Sequence, residues 1–221
     1  MVETLQSRWI VTVAPTVEPL TLSDFRSTSA GSYGRIDFTD DDSILTDLIH
    51  EGRQLAEQLT SKSLAPQTIQ VEYTMPQITN QLSGAALLYE QDYYQYNESL
   101  GANPFSPAPF VLSVPFPPLV AVSLFEYRTT VFNAWQTWPA SVSGVANYVT
   151  DLLPLPGLIY LQYPPPAYQY RITCSVGYTT LPYDLKNALK QLILWMYDNR
   201  DGKEIPDGLK SSLMGRKTWV L

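Results

Sequence analysis

One cysteine and one histidine occur in the 221 residues, and these two scarcities exclude much of the chemistry that a chain of this size can carry. Cys174 has no partner for an intramolecular disulfide, so the chain can fold in a reducing compartment. His50 and Cys174 are too few to build a zinc site from Cys and His within one chain. A Ser-His-Asp triad would have to use His50, and no sequence cue places a serine beside it. There is no Gly-rich phosphate loop of the dinucleotide or the P-loop kind, and no G-x-S-x-G nucleophile elbow. Cys174 lies in an apolar strand without a nearby base, which makes it a small core residue rather than a nucleophile. Paired carboxylates of the kind used in glycoside hydrolysis stay open, because any acidic chain contains candidate pairs. The expectation is a protein that is not an enzyme and takes no cofactor and no metal.

Charge is also sparse, and it is one-sided. Charged residues make up 16% of the chain, with 14 Lys plus Arg against 21 Asp plus Glu, for a net charge of -7. That balance argues against broad capture of nucleic acid through phosphates, which needs a basic face. It suits a surface that DNA slides past without sticking. No apolar run approaches the roughly 18 residues a membrane span needs. Glu3, Gln6 and Ser7 interrupt residues 1–13, so no signal pattern is present there. A soluble chain, cytoplasmic when made and without a membrane partner, is expected. The hydrophobic fraction is 45%, enough for a sizeable core in one domain with appendages or in two small ones.

Residues 9–13 and the run to Leu20 read as extended, with Pro15 and Pro19 keeping the segment out of a helix. Thr21 or Ser23 caps a short helix over residues 21–25. The Gly/Ser-rich residues 27–34 read as a loop. The first full helix is predicted over residues 41–61, where Ile44, Leu45, Leu48, Ile49, Leu55 and Leu59 recur on one face. Thr39, Asp40, Asp41 and Asp42 stand at its start, where carboxylates favour the free amides and the positive dipole end. Capping accounts for that acidic run without a metal. His50 lies away from the apolar stripe and reads as an exposed side chain.

Alternation of Ile69, Val71 and Tyr73 with polar residues predicts a half-buried strand over residues 68–74. Residues 75–110 are irregular and hold Tyr89, Tyr93, Tyr94 and Tyr96, then Pro104, Pro107 and Pro109. The tyrosines fit a subunit contact, a carbohydrate platform or a loop folded over its own domain. Strands are predicted over residues 110–114, 121–128, 131–135, 157–162 and 168–176, with Pro164, Pro165 and Pro166 as a stiff turn. No internal repeat is present.

The second helix is the clearest element. Pro182 is a good first-turn residue, and Leu185, Ala188, Leu189, Leu192, Ile193, Trp195 and Met196 form a broad apolar face to Asn199. Asp201, Gly202 and Pro206 stop it. Residues 203–221 show no firm periodicity. Their last dozen carry Lys210, Arg216 and Lys217 and no acid, and end in Trp219, Val220 and Leu221. An apolar, basic tail on an acidic chain reads as a docking peptide.

Three stretches, in order, resemble a known family. The first is Val11-Thr12-Val13-Ala14-Pro15-Thr16-Val17-Glu18-Pro19-Leu20-Thr21-Leu22, followed by the Asp-rich helix start and Ile44-Leu45-x-x-Leu48-Ile49. The second is Val114-Pro115-Phe116-Pro117-Pro118-Leu119, running into Val122 and Tyr127. The third is Val176-Gly177-Tyr178, then Leu181-Pro182-x-x-Leu185-Lys186-x-Ala188, closing with Trp195-Met196-Tyr197-Asp198-Asn199-Arg200. Together they resemble the head–tail connector (adaptor) proteins of tailed phages and gene transfer particles.

What the resemblance implies is a structural subunit of the virion neck, assembled in the host bacterial cytoplasm as a homo-oligomeric ring of twelve copies beneath the portal. In such rings the helices pack around a DNA channel, a β-rich region projects outward or tailward, and the C-terminal tail docks on the portal protein. The next neck or tail protein (stopper, tail terminator or tail tube) binds the other side, and DNA passes without sequence-specific contact. Leu209, Leu213, Met214, Arg216, Lys217 and Trp219 are the expected portal-docking residues. Leu48, Leu55, Leu189 and Leu192 are expected in the helical core. The expected fold is α+β: a small bundle of two main amphipathic helices, a β-rich middle and an extended C-terminal tail. The expected divisions are residues 1–64, 65–176, 177–202 and 203–221. A stopper or tail-completion protein of the same neck is the near alternative. A β-rich receptor- or carbohydrate-binding module and a carboxylate-dependent hydrolase are the distant ones.

Overall fold

The computed structural model describes residues 6–26, 39–74, 110–142, 144–153, 156–161, 164–165, 167–200 and 204–215. Among these residues ten strands and three α-helices are formed, so the fold is α+β but richer in sheet than a two-helix bundle implies. The strands are β1 Gln6–Val13, β2 Gln67–Thr74, β3 Phe110–Val114, β4 Leu119–Arg128, β5 Gln136–Thr137, β6 Ser141–Val142, β7 Val145–Ala146, β8 Tyr148–Asp151, β9 Gly157–Leu161 and β10 Gln169–Val176. The helices are α1 Asp42–Thr60, α2 Tyr183–Asp198 and α3 Asp207–Met214.

Strands β1-β2-β10-β4-β5 form one sheet, β3-β9-β8 a second, and β6-β7 a small hairpin. Every pairing among the described residues is antiparallel. The alternation read in the sequence becomes strict burial: Ile69, Val71 and Tyr73 of β2 and Tyr170, Ile172, Cys174 and Val176 of β10 face inward. They meet Leu112 and Val114 of β3 and Ile159 and Leu161 of β9 in one apolar core. Phe125 is stacked against Trp138, Tyr148 and Tyr170, with ring centroids 5.1, 5.1 and 5.8 Å away. Such pairs add about 1 kcal/mol each beyond their buried area. Tyr73 donates its hydroxyl to the Ser113 carbonyl at 2.7 Å, which satisfies the only polar atom of its buried side chain.

A second core lies under the helices. Leu45, Ile49 and Ala56 of α1 pack with Leu185, Leu189, Leu192 and Ile193 of α2, and Leu213 of α3 joins them. Gly52 lets α1 and α2 approach, since a Cβ there would stand 2.6 Å from Ile193 Cγ1. The two cores are joined by short connections. Ser63 N–H donates to the Pro117 carbonyl at 3.1 Å, and Gly177 N–H to the Pro118 carbonyl at 2.9 Å. Gly177 sits at φ +105, and any Cβ would fall 2.1 Å from the Ala65 carbonyl oxygen, so only glycine closes this junction.

Three expectations are corrected. Residues 131–135 are not a strand. They form a turn closed by the Asn133 N–H on the Thr130 carbonyl at 3.2 Å and by Asn133 Nδ2 on Thr129 Oγ1 at 2.6 Å. The β-branched and aromatic side chains there mimic a strand, yet Phe132 is 97% exposed at the turn's tip. The second correction is α3: the segment read as an extended tail includes a helix of eight residues started by Pro206. Too short to show a period, it is held by packing rather than propensity. The third concerns the acidic run. Asp41 occupies the N-cap of α1 but makes no side-chain cap bond; its carboxylate instead accepts from the Tyr197 hydroxyl and from Arg200 Nη2, the latter at 3.0 Å. Strands β5 and β8 and the β6–β7 hairpin carry no signal in the sequence reading.

Candidate functional site

The helical end of the molecule carries those nominated residues that are described, and a strap from the N-terminal side builds it. After β1 the chain crosses from the sheet to the helices, burying Leu20 and Phe25 in the helical core. Between them Leu22–Phe25 makes a single 3-10 turn, as the Thr21 signal predicts, with Thr21 N–H donating to Asp24 Oδ2 at 3.0 Å. Ion pairs then lock the strap on both long helices. Glu18 accepts from Arg53 Nε at 2.7 Å and lies 3.1 Å from His50 Nδ1. Asp24 sits 2.9 Å from Lys186 Nζ and 3.3 Å from Lys190 Nζ, both on α2. Arg26 reaches both oxygens of Asp42 at 2.6 and 2.7 Å.

Electrostatics at this end are structural. Arg53 is 3% exposed, and its Nη1 donates to Glu57 at 2.9 Å. Burial pushes the Glu57 carboxyl up, against the pull of the Leu64 N–H and Arg53. Burial also raises Asp24, but the Thr21 N–H and the two lysines outweigh it and hold its pKa at about 2. The bond from Tyr197, then that from Arg200, keeps Asp41 below the usual carboxylate range. His50 is half exposed and hydrogen-bonded to Glu18 and Gln54. Its partnership with the strap carried no sequence signal, since Glu18 lies 32 positions away.

The expected core residues fall in two groups. Leu189 and Leu192 are fully buried, while Leu48 and Leu55 are partly buried at the rim of the same cluster. The expected docking residues do not share one surface. Leu213 is 1% exposed inside the helical core, Leu209 is half buried, and Met214 is 49% exposed. Leu213 therefore anchors α3 to the rest of its own chain, because α3 turns one face onto α1 and α2. Arg216, Lys217 and Trp219 lie outside the described residues, as does the tyrosine-rich stretch 89–96.

Among the described residues no group of three or more His, Cys, Asp or Glu side chains is gathered to hold a metal. Burial raises the Cys174 thiol to about 12, which leaves it a protonated core side chain. A groove of about 380 Å³ between the strap and the start of α2 is lined by Val17, Glu18, Tyr178 and Lys186 among others, but Glu18 and Lys186 are already paired. No helix among the described residues is long and apolar enough to cross a membrane.

Among the described residues the arrangement is a β layer of two sheets and a small hairpin, with a three-helix end held by the strap. No protein-family model matches the sequence, and no curated protein matches it. Solved structures do share the fold. A chain in the virion of a native gene transfer agent (GTA) particle aligns over 96% of each chain at 15% identity, with a TM-score of 0.62. A chain from the neck of an empty GTA particle, computed with C6 symmetry, aligns over 97% of each at 14% identity and a TM-score of 0.61. A chain from the neck of a native GTA particle, computed with C12 symmetry, covers 81% of this chain and 85% of its own at 16% identity, TM-score 0.52. At these identities the likeness establishes a common fold.

Proposed function

We propose that this chain is a structural subunit of a virion neck, an adaptor that forms a ring of twelve copies, binds the portal and joins capsid to tail around the DNA channel. The observation that carries the reading is fold likeness, over nearly the whole of both chains, to a chain from the neck of an empty GTA particle and a chain from the virion of a native one. Ring assembly is supported by the C6 and C12 symmetry used for those necks. A non-enzymatic role fits a chain whose ion pairs tie strap to helices and leave no convergent reactive groups among the described residues.

In this reading the basic, Trp-ended segment beyond Gly215 docks on the portal, with Met214 and Leu209 at its root. Ordering that segment costs entropy, so its affinity per contact is reduced. The net charge of -7 keeps the channel from holding DNA. The test is truncation after Gly215, which spares Leu213 and the helical core. The shortened subunit should fold with an unchanged melting temperature and fail to add a collar to the portal of its own particle in negative-stain images. A truncated chain that joins the portal as the full chain does would remove the docking role.

A further inference from the structure

Strand β1 is an open edge of the larger sheet: its one neighbour among the described residues is β2. Its side chains are apolar on both faces, with Trp9, Ile10, Val11 and Val13 each 43–54% exposed. Folded proteins guard such edges with charge, proline or bulges, because free amides and carbonyls recruit another strand. Between Trp9 and Val13 there is neither a charge nor a proline, and the one guard is a register shift between Val11 and Val13, which leaves residues 9–11 regular. At the opposite side of the same sheet, β5 covers β4 only at Glu126 and Tyr127, and Trp138 N–H takes the Phe125 carbonyl. Residues 119–124 of β4 are open among the described residues, and they too are uncharged, with Val120 44% and Leu124 37% exposed.

We infer that β1 of one copy pairs with β4 of the next, so that the larger sheet runs on from subunit to subunit. This rests on the ring reading above and names the contact that would close it. Three relations favour β4 as the occupant. Successive antiparallel pairings make β1 antiparallel to β4, so a copy placed head to tail continues the alternation. The register carries Ile10, Val11 and Val13 across β2 and β10 to the level of Leu124, Val122 and Ala121. Lastly, Arg8, Glu72, Arg171 and Glu126 stand in one row across four strands, alternating in sign. Head-to-tail contact brings Arg8 to the level of Glu126, an opposite charge that Arg171 already holds at 2.8 Å and β5 flanks, so this attraction adds to the pairing only at its end. The contact is heterologous, the kind that closes into a ring when its rotation permits. Two register shifts break the β4 ladder, so the contact is short and few charges should block it.

The test uses two full-length variants whose substitutions fall on exposed side chains: I10K/V13K blocks β1, and V120K/L124K blocks β4. Each should keep the wild-type melting temperature and stay monomeric at concentrations where the wild type multimerises on light scattering, alone or with portal. An equimolar mixture should give a dimer and nothing larger, since each variant supplies one intact edge. A β4-blocked variant that still dimerises would show β1 meeting β1 and overturn the inference. So would rings that both variants form normally on the portal, a result that would leave the neck reading standing. A wild type that stays monomeric with and without portal also overturns it. Edge-dependent multimers that never bind portal would uphold the pairing and sink the neck reading instead.

Discussion

Arg53 on α1 donates its Nε to Glu18 of the N-terminal strap at 2.7 Å, joining residues 35 positions apart through a guanidinium that is almost wholly buried. The same guanidinium holds Glu57, whose other oxygen accepts the Leu64 N–H at 2.8 Å. Strap, helix and the connection to β2 thus converge on one buried cation. Its value lies in what its loss would leave behind.

Replacing it exposes that value. Arg53→Ala strands Glu57, a carboxylate 13% exposed, and should cost about 3 kcal/mol on a urea titration. Glu18→Gln keeps one hydrogen-bond acceptor at the rim and should cost about 1 kcal/mol. Equal, small losses in both variants would show that the pair is screened like a surface bridge.

Asp24 makes stability depend on pH at the acid end. Its carboxyl falls from 3.8 to about 2 on folding, so the folded state favours the ionised form. The contribution is complete above about pH 4 and is lost as pH falls through 2. Because the group is partly solvated, its size is on the order of 1 kcal/mol after allowance for screening. Asp24→Asn should flatten the pH dependence of the melting temperature in that window. A variant whose acid profile matches the wild type would remove the Lys186–Asp24–Lys190 clamp from the account.

The junction of the two cores predicts opposite responses from two glycines. Gly177→Ala must place a methyl 2.1 Å from the Ala65 carbonyl oxygen at a φ of +105, and should destabilise by about 3 kcal/mol. Gly208→Ala meets nothing within 4 Å inside α3 and should stabilise slightly, by about 0.5 kcal/mol. Thermal melts of the pair give the comparison, and a tolerated Gly177→Ala would contradict the junction described.

Adjacent residues of α3 should part company in the same way. Leu213→Ala opens the helical core and should cost about 3 kcal/mol, while Met214→Ala, half exposed, should leave stability within about 0.5 kcal/mol. If Met214 matters, it should do so in portal binding alone.

Much of the frame was legible because burial imposes a period. The three- and four-residue spacing that runs from Ile44 to Leu59 and from Leu185 to Ile193 marked α1 and α2 to within a residue or two, and alternation marked β2 and β10. Residues 131–135 were misread because Val131, Phe132 and Trp135 have strand propensity; the Asn133 hydrogen bonds make the turn. Helix α3 escaped because its eight residues hold too few apolar positions to declare a face, and Leu213 alone carries it into the core. The docking residues were named by composition, which cannot tell a side chain turned inward from one turned out.

By its sequence alone the chain is an acidic α+β protein with two amphipathic helices, a strand-rich middle, and too little histidine and cysteine for the common catalytic and zinc arrangements. Those properties are local or compositional, so the order of residues suffices for them. Only the tertiary structure decided that Glu18 meets Arg53, that Asp41 serves Tyr197 rather than its own helix, and that, among the described residues, β1 and the first half of β4 lie open at the two sides of one sheet. Such contacts join residues dozens of positions apart or more. A period identifies the face a residue presents, but only the packed chain selects what that face meets.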